Sequence, residues 1–213
     1  MRPGDEWGSA ATGAPALDGR GSDAALATIV RAHPGALVHF VPSDSCDLAR
    51  AIGLTARSSA SWEAPVDAID VGDMLAVNMV TMGSRPDRIT RWTRTRVVTV
   101  LVDDRVLYQG RATSVVVANG QYLSGHDLVP RGHPGDGRLE VQVYALRAGE
   151  RGPMRRRLAL GTHLPHPRIT TGSGRRIEVY TEPPPPAEVD GVKVPGRLTW
   201  RAEVIPGAFR LLV

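Results

Sequence analysis

The sequence predicts a mostly β protein with a small α/β part. From about residue 65 to the C terminus, short β-rich runs are separated by turn signals every ~8–12 residues, as in a β-sandwich. Upstream, the spacing of apolar residues in Asp23–His33 predicts a helix, and the apolar run Ala36–Val41 predicts a buried strand. The fold class therefore changes along the chain, from α/β to all β.

The α/β part is predicted to hold one strand between two helices. Ser22 or Asp23 would cap the first helix, and the second helix, Cys46–Ile52, would end at Gly53. Residues 1–21 lack periodicity and are rich in Gly and Ala, so we expect them to be disordered. The predicted segments are residues 1–21 (disordered), 22–64 (α/β) and 65–213 (β-sandwich).

A Ser/Ala-rich connection leads into the β part. Asp103-Asp104 is predicted to be a hairpin turn, Met154–Leu160 a brief helix or a turn, and Pro183–Pro186 a stiff spacer. The predicted strands are Pro65–Val71, Met74–Met82, Arg96–Val102, Arg105–Gln109, Arg111–Ala118, Leu139–Leu146, Arg175–Tyr180, Val189–Val194, Leu198–Val204 and Ala208–Leu212.

The charge pattern does not favour a nucleic-acid partner. The net charge is +4, and the runs Arg91–Arg96 and Arg155–Arg157 are short and interrupted, which is more typical of solvated faces. They are also compatible with a weak peripheral contact to an anionic membrane. Arg far outnumbers Lys, and Ala, Gly and Pro are abundant, which is typical of a high-GC genome such as that of an actinobacterium.

The sequence further predicts a cytoplasmic protein. Cys46 is the single cysteine, so no internal disulfide forms and the chain suits a reducing compartment. No apolar run approaches the ~18 residues of a membrane-spanning helix. Residues 1–16 show no signal-peptide pattern.

The C-terminal half carries an ordered set of motifs. These are Asn119-Gly120, Gly125, Pro130, Asp136-Gly137, Leu139, Gly161, His163, Asp190-Gly191 and Pro206-Gly207-Ala208. Their order resembles the C-terminal half of the diacylglycerol-kinase-like lipid kinases, the family that includes the sphingosine kinases and bacterial lipid kinases. The resemblance implies the β-sandwich substrate domain of that family, preceded by a remnant of its α/β nucleotide domain.

Upstream, the resemblance implies an N-terminally truncated and degenerate member. Asp18–Ser22 stands where the family has G-G-D-G-T, which makes Gly19, Gly21 and Ser22, with Ser45 in the next loop, the counterparts of nucleotide-binding residues. Arg20 replaces the acid of that loop, and Val192 replaces the Glu of the family's D-G-E motif. Mg²⁺ and ATP would be cofactors only if kinase activity survives; otherwise the cofactor is unknown.

Asp190 matches the family's acid that activates the lipid hydroxyl, although an Asp-Gly pair is also an ordinary turn. His126 is a second candidate acid/base group, and Asp136 has the best claim to a metal, with a simple loop as the alternative for each. We interpret His163 as a structural loop histidine and Cys46 as a buried structural thiol. Asp44 and Asp47 are interpreted as helix caps.

Three functions remain open at this level. The first is a degenerate lipid-kinase-fold protein, without phosphoryl transfer, that binds a lipid or other hydrophobic small molecule and is recruited to non-kinase chemistry in secondary metabolism. The second is an ATP- and Mg-dependent lipid kinase, completed by a partner chain. The third is a non-catalytic regulatory partner of a full-length kinase. In each case we expect a homodimer.

Overall fold

The computed structural model describes residues 7–14, 16–54 and 61–213. Residues 1–6 and 15 of the predicted disordered segment, and most of the Ser/Ala-rich connection, lie outside the described residues. The helices are α1 (Asp23–Ala32), α2 (Asp47–Ala51) and α3 (Arg151–Ala159). The strands up to residue 112 are β1 (Ser9–Ala10), β2 (Leu17–Gly21), β3 (Leu37–Pro42), β4 (Trp62–Asp70), β5 (Leu75–Ala76), β6 (Met79–Gly83), β7 (Arg96–Val102) and β8 (Arg105–Ala112). The remaining strands are β9 (Ser114–Ala118), β10 (Tyr122–Leu123), β11 (His126–Asp127), β12 (Leu139–Tyr144), β13 (Ile169–Gly174), β14 (Arg176–Glu182), β15 (Ala187–Val189), β16 (Val192–Val194) and β17 (Thr199–Leu212).

Two sheets form the β-sandwich. The larger has nine strands, with the path β1-β4-β17-β14-β7-β8, to which β2, β3 and β5 are attached. The smaller has six strands in the order β13-β12-β9-β6-β15-β16. Alternating apolar side chains such as Val80, Val100, Val141 and Ile177 are fully buried in one cluster that both sheets share. The predicted fold class, mostly β with a small α/β part, is confirmed.

The α/β part is built on one end of the larger sheet. β2 pairs parallel with β3, and β3 pairs parallel with the end of β17. The apolar face of α1 contributes Leu26 and Val30 to a second core, together with Phe40 of β3 and Leu48 of α2. Among the described residues, β3 is the single strand that pairs with β2, so the other edge of β2 is an edge of the sheet.

The predicted homodimer stays a prediction.

The last strand joins the two parts of the molecule. Its first residues pair with β14 in the sandwich, and its last residues pair with β3 in the α/β part. The sequence predicts two strands separated by a turn at Pro206-Gly207-Ala208, which is wrong. The turn residues form an irregularity within one strand, because β4 continues alongside and the carboxylate of Asp67 accepts the N–H of Gly207 at 2.8 Å.

Three other predicted segments also differ from the structure. The predicted strand Met74–Met82 is split into β5 and β6, and the predicted strand Val189–Val194 is the hairpin of β15 and β16. The segment 1–21, expected to be disordered, includes β2, which pairs with β3 along its whole length. Pairing with β3 supplies partners for the backbone that the Gly-rich sequence alone does not reveal.

A further layer covers the outer face of the six-stranded sheet. Met154 and Leu158 of α3 pack in a third apolar cluster with Ile89, Leu128 and Tyr144. In the part of the chain that the structure describes, no helix is both long and apolar enough to cross a membrane.

Candidate functional site

The candidate site lies where the α/β part meets the six-stranded sheet. The hairpin of β15 and β16 turns at Asp190-Gly191, and both residues have positive φ (47° and 79°). This turn faces the gap between β5 and β6 and the first turn of α1. The β-turn predicted at Asp190 is thus present, and it brings the carboxyl group to a junction of three elements.

The Asp190 carboxylate binds the backbone of the broken strand. It accepts the N–H groups of Val77 (2.8 Å), Asn78 (3.0 Å) and Met79 (2.9 Å). Because these N–H groups turn towards Asp190, they cannot all join a ladder, which explains why β5 and β6 are separate strands. Burial and the nearby charge of Asp23 raise the pKa of Asp190 to about 7. The three N–H groups oppose this shift, because they stabilise the charged form. The group can therefore accept or release a proton near neutral pH.

Asp23 is the second carboxylate of the site. It begins α1, yet its side chain caps α2, accepting the N–H groups of Asp47 (3.1 Å) and Leu48 (3.0 Å). It also accepts the thiol of Cys46 (3.1 Å) and the amide Nδ2 of Asn78 (3.0 Å). Burial raises the pKa of Asp23. Burial and the Asp23 carboxylate raise the pKa of the Cys46 thiol far above neutral, which agrees with a structural thiol rather than a nucleophile.

Asp47 and Arg85 complete the polar wall. The sequence position of Asp47 suggests that it caps α2, and this interpretation is wrong. The Asp47 carboxylate instead accepts the N–H groups of Ser124 (2.5 Å) and Gly125 (2.8 Å). The buried Arg85 guanidinium donates to Asp87 (2.8 Å) and to the Ser124 hydroxyl. These contacts fix the loop after β10 against α2.

Two clefts meet at this point. A polar cleft of about 300 Å³ is lined by Asp23, Asp47, Asp190, Asn78, Arg85 and three serines. A shallower groove of about 170 Å³ runs between α1 and the hairpin, and apolar side chains line most of it. Asp190 and Val192 border both cavities. The arrangement places one titratable carboxyl group between a polar chamber and an apolar groove.

The structure brings together three of the residues predicted from sequence. Ser22, Ser45 and Asp190 all line the polar cleft. Gly21 ends β2 just before Ser22 and has a φ of 127°, which favours glycine. Gly19 lies beneath α1, where an added Cβ would clash with Ile29 Cδ1 and lie 3.1 Å from Phe40. The space beside Gly19 is therefore filled by side chains of α1 and β3. The nucleotide-binding role that the resemblance implies for Gly19, Gly21, Ser22 and Ser45 stays a prediction.

His126 and Asp136 lie apart from Asp190. His126 lines a separate groove with Asp87 and arginines of α3. The Asp136 carboxylate accepts the N–H of Arg138 (3.0 Å), as in a simple Asx turn. Within residues 7–14, 16–54 and 61–213, no group of three or more His, Cys, Asp or Glu side chains is placed to hold a metal. The acid/base role of His126 and the metal role of Asp136 stay predictions.

The other loop histidine is buried. His163 accepts or donates through Nε2 to the carbonyl of Leu128 (2.9 Å), and burial lowers its pKa. This placement agrees with the interpretation of a structural residue.

Sequence reasoning did not assign a site role to Asn78, Arg85 or Ser124. Asn78 interrupts the apolar run AVNMV, and a polar residue in such a run is a usable signal. Its buried Oδ1 atom has no hydrogen-bond partner among the described residues, whereas its Nδ2 atom is bonded to Asp23 and to the Tyr122 carbonyl. No local pattern marks Arg85 or Ser124, because tertiary contacts alone bring them to the cleft.

The cleft can be tested for a fit to Mg²⁺ and ATP, the cofactors that a kinase fold implies. Protein donors already bind each carboxylate: four bind Asp23, two bind Asp47 and three bind Asp190. A divalent cation would compete with these N–H, S–H and amide groups for the same oxygens. The described residues thus fit these cofactors poorly.

The fold is a β-sandwich of the type found in NAD kinases and diacylglycerol kinases. The family described as the YegS C-terminal NAD kinase beta sandwich-like domain matches residues 81–213. The chain belongs to this family, and the diacylglycerol-kinase-like relationship predicted from its motifs is confirmed.

Solved structures share the fold at low sequence identity. A diacylglycerol kinase from Bacillus anthracis str. Sterne is 18% identical with a TM-score of 0.72, covering 92% of this chain and 75% of that one. An NAD kinase from Archaeoglobus fulgidus in complex with ATP is 12% identical (TM-score 0.51; 92% and 76% covered). Yeast NADH kinase complexed with NADH is 10% identical (TM-score 0.52; 92% and 61% covered). A comparison with curated proteins gives no match.

Proposed function

We propose that this protein binds a hydrophobic small molecule with a hydroxyl head and that it has lost phosphoryl transfer. The observation that carries the proposal is the position of Asp190, where the apolar groove meets the polar cleft. An apolar body in the groove would leave its hydroxyl beside this carboxyl group. Recruitment to non-kinase chemistry in secondary metabolism would then use Asp190 as the acid/base group.

The groove has the composition expected for an apolar ligand. Ala24 and Ala27 of α1 form one wall, and Val189, Val192 and Val194 of the hairpin form the other. Val192 is 52% exposed, so a ligand that covers it removes apolar surface from water at about 25 cal/mol per Å². The same residue stands where the lipid kinases carry a Glu, and its replacement extends the apolar surface up to Asp190.

Asp190 suits the recognition of a hydroxyl. With a pKa of about 7, it is partly ionised at neutral pH, and its ionised form accepts a hydrogen bond from an alcohol. Three backbone N–H groups hold the carboxyl group in place, so it loses little freedom when a ligand binds.

The loss of phosphoryl transfer is supported on the opposite side of the cleft. Arg20 stands in the loop where the lipid kinases have an acid, and it is exposed on β2. Gly19 packs against α1 instead of leaving an open cradle. The Asp23 carboxylate is already hydrogen-bonded to four protein donors. Among the described residues, no cluster of acidic side chains is therefore free to bind the metal ion that phosphoryl transfer uses.

Calorimetric titrations can test the proposal. The purified full chain is titrated with ATP, with and without Mg²⁺, and then with a short-chain diacylglycerol. We expect no heat from millimolar ATP and saturable binding of the diacylglycerol, weakened about tenfold or more by Val192→Asp, because the new charge would be desolvated in the groove. Val106→Asp, at a similarly exposed valine on the other side of the sandwich (62% exposed), is the control and should leave binding unchanged. Equal binding by both variants would contradict the assignment of the groove.

A second candidate function is an ATP-dependent lipid kinase completed by a partner chain. The raised pKa of Asp190 favours it, because a general base near neutral pH could activate a lipid hydroxyl. This candidate requires Mg-dependent ATP binding and a phosphorylated lipid product. Asp190→Asn should abolish the product, whereas Asp104→Asn, at an exposed carboxylate in the turn between β7 and β8, should keep it. Product formation by the purified chain would reject the loss of phosphoryl transfer.

A further inference from the structure

We propose that the surface formed by residues 85–96 and 147–160, here called the basic face, docks on an anionic lipid bilayer. The face lies on α3 and on the loop before β7, and of its residues Arg85 alone, which is buried, also lines the polar cleft at Asp190. The inference stands independently of the ligand proposed for the groove, because no residue of the groove contributes to it.

Positive charge is concentrated on the basic face. Its two segments contain ten arginines and two carboxylates, a net charge of +8, whereas the whole chain carries +4, so the rest of the chain is net −4. The exposed arginines are Arg88, Arg91, Arg94, Arg147, Arg155, Arg156 and Arg157. A molecule polarised in this way would orient its basic face towards a negative surface.

The two carboxylates of the basic face pair mainly with arginines other than those exposed on α3. Asp87 is paired with the buried Arg85 (2.8 Å) and lies 4.0 Å from the exposed Arg88. Glu150 is paired with Arg168 (3.1 Å) and accepts the N–H of Arg147 (2.7 Å). Their charges are therefore largely balanced by other groups, so the exposed arginines on α3 can interact with an external anion.

Two apolar side chains project from the same surface. Trp92 is 79% exposed and Leu160 is 76% exposed, the highest values for large hydrophobic residues in the described part of the chain. The Arg91 guanidinium lies 4.6 Å from the centre of the Trp92 ring, so charge and indole are adjacent. An indole next to cationic groups is the combination that inserts at the level of lipid headgroups.

A buried arginine holds these groups in one arrangement. The Arg151 guanidinium donates to the carbonyls of Arg91 (2.9 Å), Thr93 (2.8 Å) and Leu146 (3.2 Å), which ties the Trp92 loop to the start of α3. Leu160 directly follows α3, and the helical rise of 1.5 Å per residue places it about 13 Å along the helix axis from Arg151. The two apolar side chains thus stand at opposite ends of a helix whose exposed side carries arginines.

Headgroups would have room beside the helix. Two open grooves of about 430 and 410 Å³ flank α3, and Arg155 and Gly152 line both. A guanidinium can bind two oxygens of one phosphate, which suits a phospholipid headgroup in either groove. Duplex nucleic acid would also satisfy the arginines, but it would leave the exposed Leu160 without an apolar partner, and the lipid surface accounts for both.

The test is co-sedimentation of the full chain with vesicles of phosphatidylcholine alone or with about one third phosphatidylglycerol, at low and high salt. We expect binding to the anionic vesicles only, lost at high salt. At about fivefold per surface arginine, Arg155→Glu combined with Arg156→Glu should weaken binding about 25-fold or more. Trp92→Phe should abolish the blue shift of tryptophan emission upon binding. Arg105→Glu combined with Val106→Ala, exposed on the β7–β8 hairpin, is the control and should bind like the wild type.

Three results would overturn the proposal. The first is that the chain does not sediment with anionic vesicles at low salt. The second is that the β7–β8 control loses as much binding as the double arginine variant, and the third is that the chain binds duplex DNA in preference to the vesicles. The last result would assign the basic face to nucleic acid. Circular dichroism of each variant separates loss of binding from loss of fold, since all the substituted positions are exposed.

Discussion

At the scale of single residues, the site is governed by two carboxylates that influence each other. Asp23 and Asp190 both bind Asn78, one through its side-chain amide and the other through its backbone N–H. Their mutual repulsion is one reason why the pKa of Asp190 is raised to about 7, after burial itself. Neither carboxylate is therefore an independent group, and a change at one should be measured at the other.

Removal of the Asp23 charge should lower the pKa of Asp190. Asp23→Asn keeps the size of the side chain but removes the negative charge that disfavours ionisation of Asp190. The measurement is a ¹³C NMR titration of the Asp190 carboxyl carbon in both proteins. Asp18→Asn, which removes an exposed carboxylate paired with His39, serves as the control and should leave the titration unchanged. An unchanged Asp190 titration in Asp23→Asn would show that burial alone raises the pKa.

At the scale of elements, the site depends on how closely α1 approaches β2 and β3. Gly19 permits this approach because it has no side chain where Ile29 and Phe40 pack. The first turn of α1 then presents Ser22 and Asp23 to the polar cleft. A glycine that the motif associates with phosphate binding has a packing role in this structure.

Gly19→Ala should destabilise the protein by about 1–3 kcal/mol, the usual cost of overpacking. The added methyl group would clash with Ile29 Cδ1, so Ile29→Val, which removes that atom, should restore part of the loss in the double variant. Urea denaturation measures both effects. Gly149→Ala is the control, because no atom of the described residues lies within 4 Å of its added Cβ and its φ is outside the left-handed region. A Gly19→Ala variant as stable as this control would mean that α1 shifts without cost.

At the scale of the whole molecule, buried acids make stability depend on pH. Burial raises the pKa values of Asp23, Asp67 and Asp190 in the folded protein. The folded state then binds more protons than the unfolded state once the unfolded carboxyls ionise, so stability falls as pH rises through the folded pKa values. His163 acts in the opposite direction, because its lowered pKa makes stability rise with pH up to its ordinary value of 6.5.

Between about pH 6.5 and pH 8, the decrease in stability should therefore arise mainly from Asp190, whose pKa is about 7. We expect the urea midpoint to fall across this window in the wild type and to stay nearly flat in Asp190→Asn, which cannot ionise. Asp70→Asn, at the half-buried carboxylate that ends β4 and accepts the N–H of Gly72, is the comparison and should follow the wild type. A midpoint that rises with pH in the wild type would contradict the sign of the linkage.

Local patterns predicted much of the fold. The helix predicted at residues 23–33 is α1, and the predicted hairpin at Asp103-Asp104 is present, with both residues at positive φ (46° and 66°). The predictions failed where distant residues decide the backbone. A carboxylate from the Asp190 turn splits the predicted strand Met74–Met82, and the pairing of β17 with β4 carries a strand through the Pro206-Gly207-Ala208 sequence.

The sequence by itself determined the mostly β fold class and the order of the motifs that places this chain in its family. It also predicted Asp190, Ser22 and Ser45 as site residues, and these three line one cleft. These features depend on local periodicity and on residue order, both of which are properties of the linear sequence. The tertiary structure alone decided that Asn78 and Arg85 join this cleft, that His126 does not, and that Trp92 and Leu160 flank a row of arginines. Such groupings arise from the packing of segments far apart in sequence, and no local pattern encodes the distances between their side chains.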